Sequence, residues 1–206
     1  LHDNAIDPAE EQAHFVMQPE PLGLGHAVLC AVDECLPGPV AVILPDDLIM
    51  GQKGCLSEMI EAYERGAAGH MVATMEVGRD EVKSYGVLDP KGTPVGQMVP
   101  ASGMVEKPEP NEAPSLHAVV GRYVLDASIF DDLRNQEPGL GGEIQLTDAI
   151  AKGVERVGLA GFRFSGQRFD CGSKAGMLRA TLAYAGQHEE YHPVLEEHGG
   201  MKLAAE

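Results

Sequence analysis

A short unbroken apolar run, Val40–Leu44, closed by Pro45-Asp46-Asp47 and followed by a helix-period segment, constrains the fold more than any other feature of the chain. Apolar residues without alternation suit a strand covered on both faces, as in a parallel sheet, whereas a strand with one wet face alternates. Leu56, Met59, Ile60 and Tyr63 then recur at i, i+3, i+4 and i+7, the spacing of one helix face. Gly66 stands where a helix ends in a left-handed residue. The same alternation runs on through the chain. Ala27–Val32 reads as a buried helix ending near Pro37, and His70–Val77 as the next strand. Tyr85–Leu88 and Val95–Val99 read as short strands about the Asp89–Gly92 turn, and His117–Leu125 as a long apolar strand. Thr147 and Asp148 open a helix with Ile150, Val154 and Val157 inward. Phe162 and Phe164 flank Arg163 in a late strand, and Ser173–Gly186 reads as a closing helix with Met177, Leu178, Thr181 and Leu182 inward. Strands alternating with helices predict an α/β fold with a mainly parallel sheet. The chain, 206 residues long, is expected to form one domain.

Charge narrows the partners. Fifteen basic against 32 acidic residues leave a net charge of −17, and so negative a surface repels phosphate polyanions. Nucleic acid and anionic membranes are therefore not expected as partners. No apolar run approaches the ~18 residues that a membrane-spanning helix needs. Cys30, Cys35, Cys55 and Cys171 match no zinc spacing, and the eight histidines form no paired metal motif. The thiols read as reduced, in a cytoplasmic protein.

In an open α/β sheet, ligands bind beyond the carboxyl ends of the strands. Asp46 and Asp47 follow the Val40–Leu44 strand, and successive residues of a strand face opposite ways, so one of them at most enters a cleft easily. Asp170 stands at a comparable edge, before Cys171-Gly172-Ser173. Two such carboxylates are the minimum a protein offers Mg2+, whose octahedron phosphates and water complete. Spacing alone leaves ordinary strand-end or capping aspartates as the simpler reading. Glu106-Lys107-Pro108 sets one acceptor and one cation at a strand end, a combination that suits a sugar hydroxyl beside a phosphate, although taken alone a solvated surface pair is the simpler reading. Gly23-Leu24-Gly25-His26 permits close approach of a ligand to the backbone at a helix start, or is a plain helix-entry turn.

Taken in order, longer segments carry more. Gln18-Pro19-Glu20-Pro21-Leu22-Gly23-Leu24-Gly25-His26, Leu44-Pro45-Asp46-Asp47, Val105-Glu106-Lys107-Pro108, Val120-Gly121-Arg122-Tyr123, Gly142-Glu143-Ile144-Gln145-Leu146-Thr147-Asp148-Ala149-Ile150 and Phe169-Asp170-Cys171-Gly172-Ser173-Lys174 follow one another along the chain. Over about residues 15–190 this order resembles the bacterial UTP–glucose-1-phosphate uridylyltransferases, a branch of the sugar nucleotidyltransferases. The GEIQLTDAI and FDCGSK segments are close to diagnostic of that branch, whereas LPDD and VEKP are shared with related families.

The resemblance implies a Rossmann-like, doubly wound nucleotidyltransferase core with a mixed, mainly parallel sheet, and a Mg2+-dependent reaction of UTP with glucose 1-phosphate, giving UDP-glucose and pyrophosphate. It implies that Gln18 and the Gly23 backbone read uracil and that Asp46 and Asp170 hold the metal. Glu106 and the Tyr85-Gly86 turn would take the glucose hydroxyls, Lys107 the sugar phosphate, and Val119 would border the sugar. A homodimer or homotetramer is implied as well. The family's glycine-rich loop, a GxGTRxxPxTK pattern that cradles the triphosphate, is not found within the 206 residues. The expectation is therefore a nucleotidyltransferase domain over 1–206 that is incomplete on its N-terminal side. A thymidylyltransferase acting on the same sugar phosphate, or a non-catalytic sugar-nucleotide-binding protein, remains as an alternative, although GEIQLTDAI favours the uridylyl enzyme.

Overall fold

Residues 13–66 and 69–199 are described by the structure, a computed structural model. Helix α1 (Leu24–Cys30) leads through a 3-10 turn into β1 (Val40–Ile43) and β2 (Asp47–Met50), followed by α2 (Cys55–Glu64) and β3 (His70–Glu76). Next come β4 (Gly86–Pro90), β5 (Met98–Glu106), β6 (His117–Leu125), α3 (Ile129–Arg134) and α4 (Leu146–Val157). Last come β7 (Leu159–Arg163), β8 (Gln167–Asp170), α5 (Lys174–Gln187) and α6 (His192–Gly199).

Six strands form one sheet in the order β1-β6-β3-β7-β5-β4, and a further pair, Val87 with Ala118, brings β4 against β6. The fold is α/β about a mixed sheet, as expected, and most of its ladders are antiparallel. Only β3 and β7 pair in parallel among the described strands; β1–β6, β3–β6, β5–β7 and β4–β5 are antiparallel. Strand direction does follow the expectation, since β1, β3, β4 and β7 all run the same way. The reversed strands β6 and β5 stand between them and turn the ladders antiparallel.

Period-two alternation sends β3 and β6 into two cores. Val72 and Leu125 pack on one face beneath α1, α3 and α4, with Leu133, Leu146 and Ile150. Met71, Ala73, Val120 and Val124 pack on the other face against Met59 of α2. Helices therefore cover both faces, as a doubly wound fold requires.

Strand β1 departs from its reading. It is the terminal strand of the described sheet, its burial alternates, and Ile43 is 53% exposed, so the unbroken apolar run is not covered on both sides. Helix α2 buries Cys55, Met59 and Ala62 rather than Ile60, which is exposed. Helix α5 turns Gly176 and Ala180 inward and leaves Met177 and Leu178 exposed, contrary to its expected inner face. Close approach decides this: a Cβ at Gly176 would collide with the Asp170 carbonyl oxygen, so the smallest residues select the packed side. All four cysteines are free thiols. No helix among the described residues is long and apolar enough to cross a membrane.

Strands β2 and β8 form a separate two-stranded antiparallel sheet that the sequence reading did not contain. Its register sets Asp47 opposite Asp170 and Ile49 opposite Arg168. This small sheet joins the turn after β1 to the segment before α5.

Candidate active site

A cleft of about 430 Å³ opens where the turn after β1, the entry to β4, the end of β5 and the end of β8 converge on the start of α4. Asp46, Gly86, Glu106, Lys107, Val119 and Asp170 all line it. Gln18 and Gly23 do not. The Gln18 amide donates to the Gly23 carbonyl oxygen at 3.1 Å and lies 3.1 Å from His26 Nδ1. Gly23 is held near the cleft by the segment before α4: Ile144 N donates to Leu22 O at 2.7 Å and Gly25 N to Ile144 O at 2.8 Å. The next residue, Leu24, together with Glu143 and Gln145, reaches the cleft wall. Gly23 has φ +98°, and a Cβ there would fall 2.8 Å from that of Glu143, so only glycine fits this junction.

Asp46 and Asp47 behave as different groups. Asp47 is buried, accepts from Gly121 N at 2.6 Å, and pairs with the Arg168 guanidinium. Arg122 braces the same turn, donating to Leu44 O at 3.0 Å and to Asp47 O at 2.6 Å. Asp46 meets Asp170 over Gly172. Asp170 Oδ1 lies 3.1 Å, and Asp46 Oδ2 3.3 Å, from the point a Gly172 Cβ would occupy. The two carboxylates therefore flank a space that any side chain would fill. No cluster of three or more His, Cys, Asp or Glu suited to a metal forms among the described residues.

Elsewhere in the cleft lining, the Thr147 hydroxyl donates to Glu106 Oε2 at 2.7 Å, and Lys107 Nζ lies 3.5 Å from Glu106 Oε1. Lys107 has φ +44°, uncommon for a residue with a side chain, and its N–H donates to Tyr85 O at 2.9 Å. Gly86 lies against both partners, its Cβ position 3.2 Å from Thr147 Oγ1 and 3.4 Å from Glu106 Oε2. Burial, and then the charges of Glu106 and Asp47, push the Tyr123 phenol well above its usual range, so it stays protonated. Burial, reinforced by Glu106, also raises the Asp148 carboxyl.

Arg168 was not legible in the sequence. It lines the cleft with only 14% of its side chain exposed, and its Nη1 donates to the Tyr85 hydroxyl at 3.0 Å. Its desolvation is outweighed by Asp47 and Tyr85, which hold the guanidinium charged. A signal did exist, because Arg168 and Asp170 stand i, i+2, but it requires β8 to be recognised as a strand.

A doubly covered mixed sheet with paired carboxylates at strand ends, facing a Glu-Lys step, has the layout of a nucleotidyltransferase. The model of the nucleotidyl transferase family matches residues 5–187, and the chain belongs to that family. Within it the chain is similar to the UTP–glucose-1-phosphate uridylyltransferase of Komagataeibacter xylinus, 45% identical over 152 residues, covering 74% of this chain and 53% of that protein. The enzyme of the same name from Escherichia coli K12 is 42% identical over 191 residues, covering 87% and 62%. The structure also resembles that of a UDP-glucose pyrophosphorylase complexed with UDP-glucose, with a TM-score of 0.79 and 37% identity over 85% of this chain and 66% of that one. The chain thus spans 53–62% of the length of these two curated relatives.

Proposed function

We propose that the protein containing this chain transfers a uridylyl group from UTP to glucose 1-phosphate, giving UDP-glucose and pyrophosphate. One observation carries the reading: Glu106 and Lys107 line the same cleft as Asp46 and Asp170. A sugar-hydroxyl acceptor and a phosphate-binding cation thus face two carboxylates, as a sugar-phosphate nucleophile and a metal-bound nucleotide require. The similarity to uridylyltransferases supports the choice of UTP and glucose 1-phosphate.

Two carboxylate oxygens around the open space at Gly172 fit a hard, oxygen-seeking cation whose remaining positions are taken by phosphate and water. Asp46 and Asp170 would hold it, and Mg2+ there would neutralise charge on the nucleotide phosphates. The chain's own groups position the rest. Glu106, oriented by Thr147, accepts hydrogen bonds from glucose hydroxyls, and the Tyr85-Gly86 turn and Val119 close around the ring. Lys107 holds the sugar phosphate, whose oxygen attacks the α-phosphorus in line while pyrophosphate leaves. Because the attacking group is already an anion, no general base is required, and rate comes from alignment and charge compensation. Gln18 and the Gly23 backbone, beside the mouth of the cleft, recognise uracil.

The cleft is lined by five carboxylates, Asp46, Asp47, Glu106, Glu143 and Asp170, against two cations, Lys107 and Arg168. In a chain of net charge −17, a divalent cation and Lys107 are what offset the charge of an entering phosphate, since Arg168 is paired with Asp47. The reading includes Mg2+ as cofactor, a single nucleotidyltransferase domain over 1–206, a cytoplasmic location and a homodimer or homotetramer. The test is pyrophosphate release by the full-length protein with glucose 1-phosphate and either UTP or dTTP. UTP is expected to be the better donor by at least an order of magnitude. Preference for dTTP would establish the thymidylyl alternative, and no release from either donor would leave only a binding protein.

A further inference from the structure

We propose that Arg168 is a positioning residue that couples the two halves of the cleft, tying the Tyr85-Gly86 turn to the carboxylate-bearing β2–β8 sheet. The inference rests on the nucleotidyl-transfer reading, which assigns sugar recognition to the turn and metal binding to the sheet.

The register explains how one arginine reaches both sides. Arg168 and Asp170 stand i, i+2 on β8 and therefore share a face. Asp47 is directly opposite Asp170, so Arg168 and Asp47 are diagonal neighbours, within reach of a long side chain. Two carboxylates directly opposite one another repel. Arg168 relieves this by pairing with Asp47 through both Nε and Nη2, while Nη2 stays 4.0 Å from Asp170 Oδ2. Asp47 is thereby neutralised, and the more exposed Asp170 carboxylate remains available to a cation.

The remaining edge of the guanidinium points elsewhere. Nη1 donates to the Tyr85 hydroxyl at 3.0 Å, and the guanidinium carbon lies 5.5 Å from the centre of the Tyr85 ring. A charge over an aromatic face adds to the hydrogen bond. Tyr85 in turn accepts the Lys107 N–H through its carbonyl at 2.9 Å, where Lys107 holds its left-handed conformation. Asp47, Arg168, Tyr85 and Lys107 therefore form a continuous line of contacts across the cleft. A planar five-donor fork can serve a carboxylate on one edge and a phenol on the other, whereas a lysine ammonium cannot span both.

Two variants separate this role from a simple strand pin and from direct sugar contact. Tyr85→Phe removes only the hydroxyl and leaves the Asp47–Arg168 pair in place. Arg168→Lys keeps a charge for Asp47 and loses the fork. In the full-length protein, two constants are read without turnover: Mn2+ dissociation from the ligand-free protein by electron paramagnetic resonance, and UDP-glucose dissociation by calorimetry in EDTA. Each variant is expected to weaken both constants, by about threefold for Mn2+ and about tenfold for UDP-glucose. The melting temperature of Tyr85→Phe is expected to fall by no more than a few degrees, because the Asp47–Arg168 pair stays in place. If Tyr85→Phe weakens UDP-glucose alone and leaves Mn2+ affinity unchanged, the hydroxyl serves the sugar directly and the coupling is refuted. If neither constant moves, Arg168 is only a strand pin. Wild-type protein that binds Mn2+ but not UDP-glucose would remove the functional reading alone, and the effect of Tyr85→Phe on Mn2+ affinity would still decide the coupling.

Discussion

The Thr147 hydroxyl donates to Glu106 Oε2 at 2.7 Å, joining the first turn of α4 to the last residue of β5. One bond thus fixes the carboxylate assigned to the glucose hydroxyls, and it reaches across 41 residues of sequence. Thr147→Val keeps the shape of the side chain and deletes the donor. A hydrogen bond to a charged group contributes about 1.5–3 kcal/mol, so the KM for glucose 1-phosphate should rise about tenfold or more. The KM for UTP should change less than about twofold, because Thr147 is assigned no contact with the nucleotide. Steady-state kinetics with each substrate varied in turn checks the split.

Asp46, Asp47 and Asp170 are expected to separate into two classes. Asp46→Asn and Asp170→Asn should remove most Mg2+-dependent turnover and leave thermal unfolding near wild type. Asp47→Asn should instead lower stability by about 3 kcal/mol, since it strands the Arg168 guanidinium next to a neutral amide. Denaturant unfolding of the three variants, beside their rates at limiting Mg2+, distinguishes them. Equal destabilisation by all three would contradict the assignment.

Gly172→Ala tests the space between the carboxylates. The new methyl would lie 3.1 Å from Asp170 Oδ1 and 3.3 Å from Asp46 Oδ2, in the space proposed for the cation. Mn2+ affinity should fall at least tenfold while the fold persists, as Gly172 is not among the glycines with left-handed φ. Mn2+ binding by electron paramagnetic resonance, with circular dichroism as the folding control, reads both.

Stability should depend on His70. Its ring is fully buried at the start of β3, neither nitrogen has a hydrogen-bond partner among the described residues, and burial lowers its pKa below 6.5. The folded state therefore prefers the neutral ring. This contribution is fully present above the unfolded-state pKa of 6.5 and is lost as pH falls through and below that value. Urea unfolding of the wild type should lose stability between pH 7 and 5.5, in about that window, more steeply than unfolding of His70→Gln. Parallel pH profiles for the two proteins would show that His70 does not titrate on unfolding.

Much of this arrangement was legible because it is local. The apolar run before Asp46 located a strand end, β6 was read with its observed bounds, and the Glu106-Lys107 step was placed at the end of a strand. What escaped depends on pairing between distant segments. Strands β2 and β8 are four residues each, too short for periodicity to register, and only their mutual register brings Arg168 diagonal to Asp47. Strand alternation admits only one of the adjacent aspartates to the cleft without saying which, whereas Gly121 and Arg168 commit Asp47 to the scaffold and leave Asp46 to face Asp170. The individual ladders are not legible in the sequence because β5 and β6 enter the sheet reversed, and apolar pattern reports burial rather than direction.

Calorimetric titration of UDP-glucose into the full-length protein, with and without Mg2+, asks whether one cleft holds both a sugar nucleotide and a divalent cation. Binding is expected in both conditions and at least about tenfold tighter with Mg2+. That gain should vanish in Asp46→Asn and Asp170→Asn, while Glu106→Gln should weaken binding in either condition. Absence of UDP-glucose binding, or binding indifferent to Mg2+ and to Glu106, would contradict the account.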